Sequence, residues 1–225
     1  MSTRLNLYRG ALRLCGAASI SALTDEAEGR RLLDEVWDDG GVRRVLESGL
    51  WNFAMRTQSL DFDPSVNPSF GYVRAFEKGS DWVRTAGVWS DENLYSPLVA
   101  YQDETEFLFA NLDTIYVQFV SDHAELGSDL STWPGSFSDY AEAYFASKIV
   151  HRLTSDKDRV YMLLGPPGRP DKGILAQALK RARSQDAMRD AAKALPPGSW
   201  VLSRRRWGGR RGPMGDGGSP GSLTG

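Results

Sequence analysis

Few side chains in this sequence have the type and spacing that catalysis requires. Neither of its two histidines, His123 and His151, has a second metal-binding residue at a suitable spacing. Its one cysteine, Cys15, cannot form an internal disulfide, and no neighbouring histidine is present to activate it as a nucleophile. We therefore interpret both histidines as structural and Cys15 as a small buried residue of a helix, and we predict no catalytic residue.

Segments that could hold phosphate or a divalent cation lack the patterns those ligands require. Residues 165–173 read GPPGRPDKG, without the Walker spacing, and their three prolines remove backbone N–H donors that would bind phosphate. The acidic clusters at residues 34–39 and 103–106 lack the EF-hand pattern and are typical of solvated surface. We expect no cofactor and no metal. A hydrolase would instead require paired carboxylates with raised pKa values in a deep pocket.

The strongest concentration of charge lies at the C-terminus. Residues 199–225 carry five arginines and one aspartate, whereas the rest of the chain has a net charge of -6. This segment contains too few apolar residues to fold alone, and we interpret it as a flexible arm. Two hypotheses stay open: the arm binds nucleic acid through phosphate contacts and base stacking, or it docks on an acidic patch of a partner protein. The residues concerned are Trp200, Arg204, Arg205, Arg206, Trp207, Arg210 and Arg211.

Aromatic residues crowd a second region, between residues 82 and 116. Exposed aromatic side chains are enriched at protein–protein contacts, which favours an oligomer. The alternative is a compact sheet that buries these rings against the helices. The candidate interface residues are Trp82, Trp89, Tyr95, Tyr101 and Phe109.

Helical segments precede this aromatic region. Apolar residues at helical spacing predict a first helix that stops at Gly16. Thr24 is the expected N-cap of a second helix, because acidic residues follow it in the first turn. The apolar period then continues past Gly40 and Gly41 to Gly49, so we predict one long helix with a soft joint.

A β region and further helices complete the chain. Short segments rich in aromatic and β-branched residues predict four or five antiparallel strands, and residues 114–120 are the clearest of them. The segments are 53–62, 82–89, 98–101, 106–110 and 114–120. Helices return after Pro134, where Ser136 and Asp139 have the spacing of a capping box. A short helix over 156–164 and a last helix over 171–194 follow. We therefore predict an α+β fold with a helical core (1–51 and 134–198), a β-rich insertion (52–133) and the C-terminal arm (199–225).

Composition restricts the cellular context. The 225 residues are 41% apolar and 25% charged, as in a soluble globular protein, and the net charge is -2. No run of 18 apolar residues is present, and arginines interrupt the first twenty residues, unlike a signal peptide. We expect synthesis in a cytoplasm and no membrane association.

Four segments of the helical part resemble a known family. They are LYRGALRL at 7–14, the acidic segment 24–28, RRLLDEVW at 30–37 and LESGLWNFA at 46–54. Together they resemble the head-to-tail adaptor (connector) proteins of tailed bacteriophages, the tail tubular protein A family, over roughly residues 3–195. The Asp81-Trp82 pair and residues 140–149 also look like that family. The Gly40-Gly41 pair and the Arg/Gly-rich arm are departures from its pattern.

The resemblance implies a structural virion protein and not an enzyme. Adaptors of this family form a ring, usually a dodecamer, between the portal protein and the viral tail, and DNA passes through it during ejection. The resemblance implies that the arm binds the portal, and that the aromatic region contacts neighbouring subunits or the tail (nozzle) protein. Duplex DNA would pass without sequence-specific binding. The alternative remains a nucleic-acid-binding module that acts through the arm.

Overall fold

The computed structural model describes residues 2–154 and 156–189, which form the α+β fold that the sequence predicts. The helices are α1 (Arg4–Cys15), α2 (Glu28–Asp38), α3 (Gly41–Glu47), α4 (Gly135–Leu153), α5 (Lys157–Leu164) and α6 (Ile174–Arg189). The strands are β1 (Met55–Asp61), β2 (Arg74–Glu77), β3 (Trp82–Trp89), β4 (Gln102–Asp103), β5 (Phe107–Ala110) and β6 (Thr114–Ser121). The C-terminal arm and the predicted continuation of the last helix past residue 189 lie outside the described residues.

The first helix ends where the sequence predicts. Thr3 caps α1, since its hydroxyl oxygen accepts a hydrogen bond from the N–H of Asn6 at 3.2 Å. At the other end Gly16 adopts φ 68°, and its N–H donates to the carbonyl of Arg13. This left-handed conformation suits glycine because it has no Cβ, so the predicted stop at Gly16 is confirmed.

Two predictions about the second helix are wrong. Thr24 is not the N-cap, because α2 begins only at Glu28, after Ala27. The Asp25 carboxylate instead accepts hydrogen bonds from the N–H groups of Ser21 and Ala22, which organises the preceding loop as a turn. The soft joint is a complete break, because Gly40 adopts φ 78° and separates α2 from α3.

The returning helices follow the prediction with one exception. Helix α4 starts after Pro134, but no side chain caps it, so the predicted Ser136 capping box is wrong. The N–H groups of Phe137 and Ser138 donate to the carbonyl of Pro134 instead. Asp156 caps α5, since its carboxylate accepts the N–H of Asp158 at 3.0 Å, and residues 165–173 connect α5 to α6.

Helices from both ends of the described sequence share one hydrophobic core around α4. The Trp37 ring contacts Tyr8 of α1 and Phe145 of α4, at centroid distances of 6.3 and 6.0 Å. Trp51 is buried against Phe137, with ring centroids 4.7 Å apart. None of the described helices is long and apolar enough to cross a membrane.

The β region consists of two three-stranded antiparallel sheets with a second core between them. Strand β6 lies between β1 and β3, and β5 lies between β2 and β4. The sequence analysis missed β2, because only Ala75 and Phe76 of its four residues are buried. The strand predicted at Leu98–Tyr101 is displaced, since the chain pairs with β5 only at Gln102–Asp103.

One end of the β region adjoins the helices. Arg43 of α3 forms an ion pair with Asp122, which follows β6, at 2.5 Å. The Arg84 guanidinium of β3 donates to the carbonyl of Glu47 at 3.1 Å. These contacts hold the start of β3 and the end of β6 against α3, so the opposite end of both sheets points away from this contact.

We call that opposite end the distal end. Asp61 of β1 pairs with Thr114 of β6, and Trp89 of β3 pairs with Tyr116, so β1 and β3 both end there. Strands β2 and β4 both begin opposite the C-terminal end of β5. Loops 62–73 and 90–101 and the turn 111–113 therefore all lie at the distal end.

Candidate protein-interaction surface

The residues considered for catalysis occupy structural or exposed positions. His151 is exposed on α4, and His123 is exposed in a turn where its Nδ1 accepts the N–H of Glu125 at 3.3 Å. Cys15 is buried, and burial raises the pKa of its thiol to about 11. Among the described residues, no group of three or more His, Cys, Asp or Glu side chains could hold a metal ion.

Three of the four acids in the cluster at 34–39 form ion pairs with neighbouring arginines. The Asp34 carboxylate accepts hydrogen bonds from Arg4 at 2.7 Å, from Tyr8 at 2.8 Å and from Arg30. Asp39 forms an ion pair with Arg44 at 2.7 Å. These pairs tie α1 to α2 and α2 to α3, a structural role.

An open groove of about 630 Å³ contains one carboxylate with an unusual environment. Glu142 of α4 lies over Gly10 of α1, and Arg13 approaches its carboxylate at 3.4 Å. Burial raises the pKa of Glu142, whereas the exposed Arg13 guanidinium acts in the opposite direction. The lining of this groove includes no second carboxylate, but Asp139 lines a smaller neighbouring pocket with Glu142, and its charge also raises the pKa of Glu142.

The five aromatic candidates fall into three groups. Trp82 and Phe109 are each only 6% exposed, and Trp82 stacks on Phe119 with ring centroids 3.8 Å apart. Trp89 and Tyr101 are half-buried. Tyr95 is 85% exposed. Trp82 and Phe109 therefore stabilise the protomer, and Tyr95 alone of the five presents most of its ring to solvent.

Three further exposed apolar side chains accompany Tyr95 on the distal loops. Val99 is 87% exposed on loop 90–101, whereas Val73 is 61% and Phe70 is 42% exposed on loop 62–73. We call these four residues the distal surface. The sequence did not point to Val99, Val73 and Phe70, because loops rich in proline and glycine have no periodic pattern from which burial can be predicted.

The backbone of loop 90–101 is fixed by hydrogen bonds. The Asp91 carboxylate accepts the N–H groups of Tyr95 at 3.0 Å and of Ser96 at 2.7 Å. The N–H of Leu98 donates to the carbonyl of Val88 at 2.9 Å, which returns the loop to β3. Leu94 adopts φ 58°, a conformation that costs energy for a residue with a side chain. These hydrogen bonds therefore define the backbone that carries Tyr95.

Loop 62–73 is also anchored. The Phe70 ring packs on Phe109 with centroids 4.9 Å apart, and the N–H of Val73 donates to the Asn111 side chain at 3.0 Å. Arg74 then forms an ion pair with Asp113 at 2.9 Å. Both loops thus support exposed apolar side chains on ordered backbone.

The candidate portal-binding residues lie outside the described residues. They are Trp200, Arg204, Arg205, Arg206, Trp207, Arg210 and Arg211. Their role stays a prediction from the sequence.

Comparison with known proteins adds no assignment. No protein-family model matches the chain. A search of curated proteins likewise found no significant match. The function is therefore argued from the sequence segments and the geometry above.

Proposed function

We propose that this protein is a ring-forming head-to-tail adaptor of a tailed bacteriophage, located in the virion between the portal and the tail. Its role is structural: copies assemble around the passage through which the genome leaves the head. The proposal combines the sequence resemblance with the arrangement of the residues that carry it.

One observation carries the proposal. The segments that resemble adaptors are spread over the sequence, yet their aromatic side chains meet in the helical core. Tyr8 and Trp37 come from two of these segments, and Trp51 comes from a third. The Trp37 ring contacts Tyr8. The ring centroid of Trp51 lies 6.3 Å from that of Tyr140, in the later segment on α4. The resemblance thus involves residues that determine one packed core.

The distal surface supports an assembling protein. Exposed apolar side chains are typical of a surface that a partner covers when they lie close together, and these four share one end of the β insertion. A closed ring requires a heterologous interface, in which one face of each subunit fits a different face of its neighbour. The distal surface supplies one such face.

The charge of the β insertion disfavours contact with DNA. Residues 52–133 carry 13 acidic and four basic residues. An acidic lining does not hold the phosphate backbone, whereas a basic one would bind it strongly. This distribution disfavours nucleic-acid binding by the insertion and leaves the arm as the segment suited to that alternative.

Co-expression with the portal protein of the same phage tests the proposal. We expect light scattering to show a complex whose mass exceeds that of the portal by many copies of this chain. Deletion of residues 203–225 should abolish the complex, since the arm is the proposed portal contact. A chain that stays monomeric beside the portal contradicts the adaptor function.

The deletion also separates the two hypotheses for the arm. Loss of salt-dependent DNA binding, with portal binding unchanged, would support the nucleic-acid module. Loss of portal binding, with no DNA binding by the intact chain, supports the adaptor.

A further inference from the structure

We propose that the distal surface of one subunit docks on the α5–α6 hairpin (residues 156–189) of a second copy of this chain. This inference rests on the proposed ring and names the two faces that meet in it. The distal end that carries this surface and the hairpin are opposite in charge, and each has exposed apolar side chains.

The distal end is acidic. The three segments that form it are 61–74, 90–101 and 111–113, and they contain five carboxylates and one guanidinium. The five acids are Asp61, Asp63, Asp91, Glu92 and Asp113. Of these five acids, only Asp113 forms an ion pair with another described residue, which is Arg74. The other four carboxylates keep their charge available to a partner.

Two of these acids are held in the ionised form. Hydrogen bonds from the Tyr95 and Ser96 backbone N–H groups lower the pKa of Asp91. Bonds from Ser65 lower the pKa of Asp63 in the same way. The distal end therefore stays negative at neutral pH.

The α5–α6 hairpin has the complementary character. It contains eight basic and four acidic residues, and all eight basic side chains are exposed, whereas Asp186 is buried. Arg159 is the only one of the eight that forms an ion pair with another described residue. Tyr161, Met162 and Met188 are exposed apolar residues on the same hairpin.

A second copy satisfies both faces at once. The distal surface is formed by loops of the β insertion, and the hairpin lies in the helical core, so one chain carries two different and complementary faces. This is the requirement of a heterologous contact that repeats around a ring. Ordered loops reduce the conformational entropy lost on docking, and complementary charge selects the orientation of the neighbour.

Charge reversal on each face tests the pairing in the full chain. Asp61→Lys with Glu92→Lys reverses two exposed distal charges, and Lys180→Glu with Arg181→Glu reverses two exposed hairpin charges. We expect either double variant to weaken ring formation on the portal at least tenfold. The chain with all four substitutions should form rings again, because the reversed faces remain complementary. Analytical ultracentrifugation of the portal complex measures ring formation by the two double variants and by the quadruple variant.

A matched control separates the contact from general charge effects. Glu77 and Glu125 are exposed on the same insertion and form no ion pair with any described residue. Glu77→Lys with Glu125→Lys makes the same change in net charge as Asp61→Lys with Glu92→Lys. This control variant should form rings normally. Equal loss in this control, or failure of the quadruple variant to recover, overturns the pairing.

The outcomes distinguish the two proposals. Rings of the wild-type chain that persist in both double variants contradict the distal–hairpin contact and leave the adaptor function standing. Absence of rings of the wild-type chain on the portal contradicts the adaptor function itself.

Discussion

The carboxylate of Asp91 accepts the backbone N–H of Tyr95 at 3.0 Å, four residues along the same loop. Beside it, Leu94 adopts a left-handed conformation. This local arrangement holds the most exposed aromatic side chain of the five candidates on fixed backbone. A ring presented in this way can dock without first being ordered.

Replacement of Asp91 tests that arrangement. Asp91→Ala removes the acceptor for two N–H groups, so amide hydrogen exchange in residues 92–96 should accelerate by about tenfold or more as the local opening becomes easier. The pKa of Asp91 is lowered in the folded protein, so the bonds hold above the ordinary aspartate pKa. Protection in the wild type should therefore fall as the pH decreases through the lowered value.

An unchanged exchange rate in Asp91→Ala would contradict the role of this carboxylate. The matched control is Glu92→Ala, since Glu92 is the adjacent exposed acid and should leave exchange unaltered.

Trp51 is the second test, because it connects the helices of the core. Its ring is buried against Phe137, and its Nε1–H donates to the carbonyl of Leu46 at 3.0 Å. Trp51→Ala should lower the free energy of unfolding by about 3–5 kcal/mol, from lost burial and a residual cavity. The neighbouring exposed Leu50 serves as control. Leu50→Ala should change the free energy of unfolding, measured by urea denaturation, by less than about 0.5 kcal/mol.

Trp82 and Tyr95 should separate folding from assembly. Trp82→Ala removes the ring stacked on Phe119 and should lower the free energy of unfolding by about 3–5 kcal/mol. Tyr95→Ser should change it by less than about 0.5 kcal/mol, because the ring is exposed, while weakening ring formation. Strong destabilisation by Tyr95→Ser would show that its ring is part of the fold.

Glu142 gives a test by pH. Burial raises its pKa, so the ionised carboxylate is disfavoured in the folded state. The free energy of unfolding should fall as the pH rises through the ordinary glutamate pKa of about 4.3 toward the raised value. Glu142→Gln removes this effect and should be more stable than the wild type at pH 7.

Below about pH 4 the wild type and Glu142→Gln should have the same free energy of unfolding, since the Glu142 carboxyl is then neutral, as the glutamine amide is. Glu125→Gln is the exposed control and should leave the free energy of unfolding at pH 7 unchanged. A Glu142→Gln variant that is less stable at pH 7 would mean that the contact with Arg13 outweighs desolvation.

Much of the fold was accessible from the sequence, because apolar spacing and glycine position determine helices directly. Gly16 illustrates this, since its left-handed conformation ends α1 as predicted. The same argument fails at Gly40. The apolar spacing continues past this residue, but its left-handed backbone ends α2 and separates it from α3. Thr24 failed as a cap because Asp25 could organise a turn instead.

The interface candidates show the limit of residue type. Trp82 and Tyr95 are both aromatic, yet one stacks in the core and the other is exposed. Strand pairing and sheet packing decide that difference, and these are long-range properties. The separation of acidic and basic residues was present in the sequence, but its meaning depends on the loops that strand register brings together at the distal end.

Electron microscopy of the portal co-expressed with this chain, averaged in views down the ring axis, tests the central claim most directly. The account predicts a closed ring of this protein, with about twelve copies from the family resemblance, seated on the portal. Portal particles without added density, and single copies free in solution, would contradict it.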